Sequence, residues 1–201
     1  MTAIDLSSYA GLVAVALATL NICLGLLISV RYSPVRYWPH RKHINIFQIH
    51  TWTGYAVLTF VVLHPILLLF IGLPHFRVFD VLLPVQSPQQ PLENTLGAIA
   101  FYAVVIVVVS SIYRIPLGRK LWKWLHFLVY PAAALLFVHG ILTNQNLDNK
   151  AVDYLDGEKV FIEICLFVVV AGSLWAWRFR EKKQRREQML HVGRYSHAEG
   201  D

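Results

Sequence analysis

The chain has 201 residues, of which 56% are hydrophobic and 15% charged, with a formal net charge of +6. Apolar runs this long and this numerous exceed what one soluble core of that size can bury, so the sequence reads as a membrane protein. The positive balance excludes an acidic scaffold, and it does not point to nucleic acid, because the basic residues flank apolar segments, where lipid head groups account for them.

Five segments are long enough to span a bilayer, at about 8–30, 47–72, 95–113, 121–143 and 158–178. The first begins MTAIDLSSYAG, without the basic n-region of a signal peptide, and is expected to stay as a mature helix. It is followed by RYSPVRYWPHRKHIN, a basic and aromatic loop broken by Pro34 and Pro39, in which His40 and His43 are read as solvated. Cys23 and Cys165 stand singly inside apolar segments. Without CxxC or CxxCH they suggest packing rather than an iron–sulfur centre or a covalently attached heme.

The second segment carries His50 and His64, 14 residues apart, and the fourth carries His126 and His139, 13 apart. Each interval is about 20 Å of α-helix, most of a hydrocarbon core of roughly 30 Å. Ionisable groups at membrane depth are costly and call for a partner or a function. Both segments run in the same direction, so His50 falls level with His126 and His64 with His139. Two imidazoles at each level would give two six-coordinate, low-spin hemes, one near each face and both between helices two and four. Azimuth supports this less well. On an ideal helix His64 lies within about 40° of His50, but His139 lies roughly 140° from His126. Pro131, between the second pair, is a candidate for kinking or rewinding that helix, and Pro65 for bending the end of helix two.

Around these positions, Gly54 and Gly140 admit two readings, close approach of a porphyrin or ordinary helix packing. Arg41, Lys42 and Arg119 are candidate partners for propionates at the inner level, and Arg77 or His75 at the outer. Trp38, Trp122 and Trp124 fit interfacial anchoring. Glu163 is an unusual charge inside the fifth segment, read as a polar contact at its entrance. The connection from Leu73 to Asn94 contains FRVFDVLL, a short amphipathic stretch expected to be a surface connector and alternatively a cover over an outer site. A second outer loop, NQNLDNKAVDYLDGE, joins the fourth and fifth segments.

Fifteen of the 18 Lys and Arg follow the first segment, lie between the third and fourth, or follow the fifth; only Arg77, Lys150 and Lys159 fall on the other side. By the positive-inside rule the N-terminus is outside and the C-terminus cytoplasmic, in a cell inner (plasma) membrane. Residues 1–178 are expected to form one heme-bearing domain and 179–201 a basic cytoplasmic tail. That tail has no glycine-rich phosphate loop and no βαβ pattern, so a flavin or nicotinamide would act only through a partner.

The segments IHTWTGYAVLTFVVLHPILL and GRKLWKWLHFLVYPAAALLFVHGILT resemble the two histidine helices of the ferric reductase-like transmembrane superfamily, the heme core of NADPH oxidases and metalloreductases. The resemblance covers about residues 47–143. It implies an all-α integral membrane bundle of five helices with two stacked b-type hemes. It also implies His50, His64, His126 and His139 as axial ligands to the heme iron, and electron flow from inside to outside. Many members add an N-terminal helix and a fused FAD/NADPH module, and this chain shows neither. The expected function is therefore transmembrane electron transfer by the heme-binding subunit of an oxidoreductase. Its donor would be a separate cytoplasmic flavoprotein or a membrane quinol, and its acceptor a ferric chelate, dioxygen or a partner protein at the outer face. The alternatives are a quinol-dehydrogenase membrane anchor of an exported respiratory enzyme, or a scaffold whose histidines only tie helices together.

Overall fold

A computed structural model describes residues 2–31, 45–72, 75–144 and 153–198. The chain is all-helical over these residues: α1 (Ala3–Ser29), α2 (Ile46–Leu68), a short α3 (Val78–Leu82), α4 (Pro91–Ile112), α5 (Arg114–His126), α6 (Val129–Leu142) and α7 (Gly157–Ala198). Four of these, α1, α2, α4 and α7, are long and apolar enough to cross a membrane unbroken, and α5 with α6 makes a bent pair that brings the number of candidate spans to five if it crosses as one. The architecture is that of a multi-pass membrane protein. Arg36, Arg41, Lys42, His40, His43, Trp38 and Lys150 lie outside the described residues.

Local chemistry fixes the helix ends. Thr2 and Asp5 form a reciprocal capping box at the start of α1, the Thr2 amide donating to Asp5 at 2.6 Å and the Asp5 amide to Thr2 Oγ1 at 3.2 Å. Asn45 accepts from the Gln48 amide at 3.1 Å to open α2. Pro91 opens α4, where its missing N–H costs nothing. Within α5 the chain kinks at Gly118, whose φ of 73° is in the region that glycine alone adopts freely.

The fourth span departs from the single helix expected over 121–143. It bends by 41° between His126 and Val129. Pro131 has no N–H to offer Phe127 O four residues back, and that carbonyl instead accepts from the Tyr130 amide at 3.2 Å, a 3₁₀ spacing. Leu128 likewise donates to Leu125 O at 3.1 Å. Each step at 3₁₀ pitch turns about 20° further than an α step. This rotation carries His139 toward the azimuth of His126.

The last helix does not stop at 178 either. It runs 42 residues to Ala198, about 63 Å, twice the thickness of a hydrocarbon core. Lys, Arg, Glu and Gln are good helix formers, so nothing in this tract ends the helix.

In the bundle α1 packs against α2, α4 against α6, and α7 against α1 and α6. Between the two histidine levels the core is purely apolar: Ala14, Val57 and Val61 are buried with Phe60, Phe101, Val104 and Leu136 around them. A second cluster of Val15, Phe137, Ile162 and Cys165 joins α7 to this core. Cys165 is buried and both cysteines are free, as packing residues would be.

Candidate heme site

The structure brings the four histidines together in the expected pairs. The rings of His50 and His126 have centroids 6.4 Å apart with an interplanar angle of 74°. Those of His64 and His139 are 6.2 Å apart at 69°. We call the His50/His126 level lower and the His64/His139 level upper. Two imidazoles bound to one metal atom at about 2.0–2.1 Å have ring centres roughly 6.3 Å apart, so both spacings suit a single metal between the rings.

What holds each ring is a hydrogen bond at Nδ1. His64 Nδ1 donates to Ser7 O at 2.8 Å, His50 Nδ1 to Asn21 O at 3.1 Å, and His139 Nδ1 to Glu93 O at 2.7 Å. A carbonyl can only accept, so Nδ1 carries the hydrogen and Nε2, across the ring, keeps its lone pair. His126 reaches the same state through a side chain. Ser111 Oγ donates to Val107 O at 2.7 Å, leaving its lone pairs for His126 Nδ1 at 3.3 Å and Trp122 Nε1 at 3.4 Å. All four imidazoles are thus held in the tautomer and the orientation that metal-ligating histidines require.

Three of the carbonyls share a local design. Ser7, Asn21 and Glu93 are each followed four residues later by a glycine: Gly11, Gly25 and Gly97. A helical side chain leans toward the N-terminus and covers the turn before it, so the residue at i+4 normally shields the carbonyl at i. Glycine leaves that carbonyl open, and the imidazole lies in the opening. A Cβ on Gly97 would stand 2.8 Å from His139 Cε1; on Gly11, 3.2 Å from His64 Nδ1; on Gly25, 3.3 Å from His50 Cε1. By contrast, a Cβ on Gly54 would meet Asn21 Nδ2 at 3.6 Å and one on Gly140 would meet Ile162 at 3.1 Å. Gly140 also lines a cavity at the upper level and Gly54 a smaller one, so both packing and close approach apply to these glycines.

Polar side chains brace the levels. Ser7 Oγ lies 3.1 Å from His64 Nδ1 and donates to His64 O at 2.9 Å, and Asn21 Nδ2 donates to His50 O at 2.6 Å and Thr53 Oγ1 at 2.7 Å. Thr143 Oγ1 lies 3.2 Å from His139 Nδ1. Gln90, only 5% exposed, exchanges two bonds with the Asn144 backbone, tying the start of α4 to the end of α6 just beyond His139.

A cavity of about 330 Å³ opens at the upper level, lined by His64 and His139 together with Gly11, Gly97, Phe101 and Lys159. Phe76, Asp80, Val81, Leu82 and Pro84 also line it. The FRVFDVLL stretch is therefore a cover over this cavity and more than a connector. Tyr102 pins it, its hydroxyl donating to Leu82 O at 2.6 Å. Phe79 and Leu83 point away from the cavity and are exposed, at 76% and 66%. Asp80, as the first-turn acid of α3, accepts from the Arg77 amide at 2.8 Å.

Trp122 departs from the anchoring role expected of it. Its ring stacks on His126 with centroids 5.2 Å apart, whereas Trp124 is 70% exposed and suits the interface. Arg77, His75, Arg119 and Glu163 are all exposed and line neither of the cavities that neighbour the histidines.

Among the described residues no three or more His, Cys, Asp or Glu side chains gather to hold a bare ion. Each level offers two imidazoles, whose nitrogens would complete a metal that brings its other ligands with it, as heme iron in a porphyrin does. The donor set, the ring spacing and the tautomers fit that group.

No curated protein and no solved structure matches the chain. A family profile does: the ferric reductase like transmembrane component matches residues 10–137, more than half of the sequence and a stretch that contains most of α1, all of α2 and α4, and both histidines of the lower level together with His64. The chain belongs to the ferric reductase-like transmembrane family, whose domain is suited to electron transfer in membranes.

Proposed function

We propose that this protein is a di-heme cytochrome b that carries electrons across the cell's inner (plasma) membrane. His50 and His126 would hold one b-type heme at the lower level, and His64 and His139 a second at the upper level. The observation that carries this reading is the set of two facing imidazole pairs, each ring committed through Nδ1 so that Nε2 is free for iron. When bound, each heme supplies a one-electron Fe(III)/Fe(II) couple. The protein's own residues fix the axial nitrogens, exclude water with the apolar layer around Val57, Val61 and Leu136, and cover the upper site with residues 76–84. Two histidines at each level would leave no iron position for a substrate, so the one-electron chemistry a heme would supply there suits transfer to an acceptor outside the iron's coordination.

Charge supports the orientation. Among the described residues Arg31, Arg114, Arg119, Lys120, Lys123 and the cations from Arg178 to Arg186 lie toward the lower end, and Arg77 and Lys159 toward the upper. The lower end is then cytoplasmic and the upper end outside. The donor at the cytoplasmic end would be a flavoprotein or a membrane quinol, and the acceptor at the outer end a ferric chelate, dioxygen or a partner protein.

The test is a reduced-minus-oxidised spectrum with pyridine hemochrome quantification of the purified protein. Two low-spin b hemes per chain are expected, and His64→Ala and His139→Ala should each lose the same one. A colourless protein after expression with ample heme overturns the assignment. In oriented vesicles, acceptor reduction outside should follow donor addition at the cytoplasmic face; flow only in the opposite sense overturns the direction.

A further inference from the structure

Lys159 is a lysine two residues into a membrane-spanning helix and only 5% exposed. Such a placement is costly and calls for specific partners. Its Nζ donates to Gly140 O at 2.7 Å and also to Thr143 O. Both carbonyls belong to the C-terminal end of α6, where a helix leaves its last acceptors unpaired and carries partial negative charge. An ammonium is the natural complement there.

The same residue lines the upper cavity together with His64 and His139. Thr143 links it to the ligand position: its carbonyl receives the lysine, and its Oγ1 lies 3.2 Å from His139 Nδ1. Glu158 lines the cavity too, and the charges of Glu158 and Asp156 act on the ammonium, so the cation is set near carboxylates rather than left unbalanced. The smaller cavity beside Asn21, whose carbonyl holds His50 of the lower pair, has no Lys or Arg in its lining.

We propose that Lys159 is a positioning and electrostatic residue of the upper heme, raising its midpoint potential so that transfer from the lower heme runs downhill. The inference rests on the two-heme reading. Reduction adds one negative charge at the iron, and a fixed cation in a poorly screened site favours the reduced form. Without Lys159 the same site would keep the carboxylate of Glu158 without its neighbouring cation.

The test is an optical redox titration of the purified full-length protein, with heme counted by pyridine hemochrome. The wild type should show two one-electron waves, and the upper one is identified by its loss in His139→Ala. In Lys159→Met the upper wave should move to lower potential and the lower wave should stay. At fixed ambient potential the oxidised-to-reduced ratio of the upper heme should rise about tenfold, equivalent to ~59 mV for a one-electron couple. Lys159→Gln, which keeps a donor for the carbonyls without the charge, should shift it likewise, and Lys159→Arg should restore the wild-type position. Two waves at wild-type potentials in both Lys159→Met and Lys159→Gln overturn the inference, as does loss of the upper heme in all three variants alike, which marks a packing role. A wild-type protein without heme overturns the two-heme reading itself.

Discussion

At the scale of residues, the site depends on three carbonyls that glycines leave accessible. The contact at Gly97 is the tightest, and Gly97→Ala should displace His139 and weaken retention of the upper heme by at least about tenfold, the usual cost of disturbing a group that orients a metal ligand. Hemochrome counts after detergent exchange would measure this; retention of two hemes would show that the ring can shift without cost. Gly25→Ala should do less, because 3.3 Å is a contact that a small adjustment relieves. Ser111→Ala removes the hydroxyl that receives His126 Nδ1 and should cost the lower heme about 10–100-fold in affinity, leaving the upper one intact. The histidines were legible from their intervals alone. Their supports on α1 had a signal that reading for ligands passes over: Ser7 and Asn21 are 14 residues apart, as are Gly11 and Gly25, the same interval as His50 to His64 in the helix that packs beside them. Glu93 and Gly97 give no such repeat, since α4 meets the upper and lower rings through unlike groups, a carbonyl and a serine hydroxyl.

At the scale of elements, the broken fourth span settles a mismatch of phase. An unbroken helix would leave His139 roughly 140° away from His126. The tightened turn at Phe127 and Leu128 and the 41° bend bring both rings to face α2. Pro131 opens that turn by withholding its N–H. Pro131→Ala should let α5 and α6 join as a straighter helix, and the low-spin signal of one level should fall while total helicity by circular dichroism stays or rises. An unchanged pair of hemes would place the bend in the packing around Phe137 and Ala132 instead, both 1% exposed. The cover formed by residues 76–84 was only half legible. FRVFDVLL has the pattern of an amphipathic surface piece, but pattern does not say which surface lies beneath it. Tyr102 and the cavity decide that.

At the scale of the whole molecule, the asymmetry of Lys and Arg predicts the direction of the spans. Introduced cysteines test it, since Cys23 and Cys165 lie within helices packed in the bundle. Arg77→Cys should react with an impermeant maleimide in intact cells, and Lys182→Cys only after the membrane is opened; the reverse pattern would overturn the orientation. The long apolar spans and the two histidine levels were legible in the sequence, and the charge asymmetry predicts the polarity that the labelling tests. Hydrocarbon thickness fixes the length of a span, the asymmetry of Lys and Arg favours one orientation, and a rise of about 1.5 Å per residue converts spacing into depth. Depth is a property of one helix at a time. Azimuth and hydrogen bonding are not: which carbonyl receives each Nδ1, which glycine opens it, how the fourth span is rewound and where Lys159 is buried all depend on the neighbouring helix. Only the packed bundle decides those, because a buried polar group must find its partner across an interface that no single segment contains.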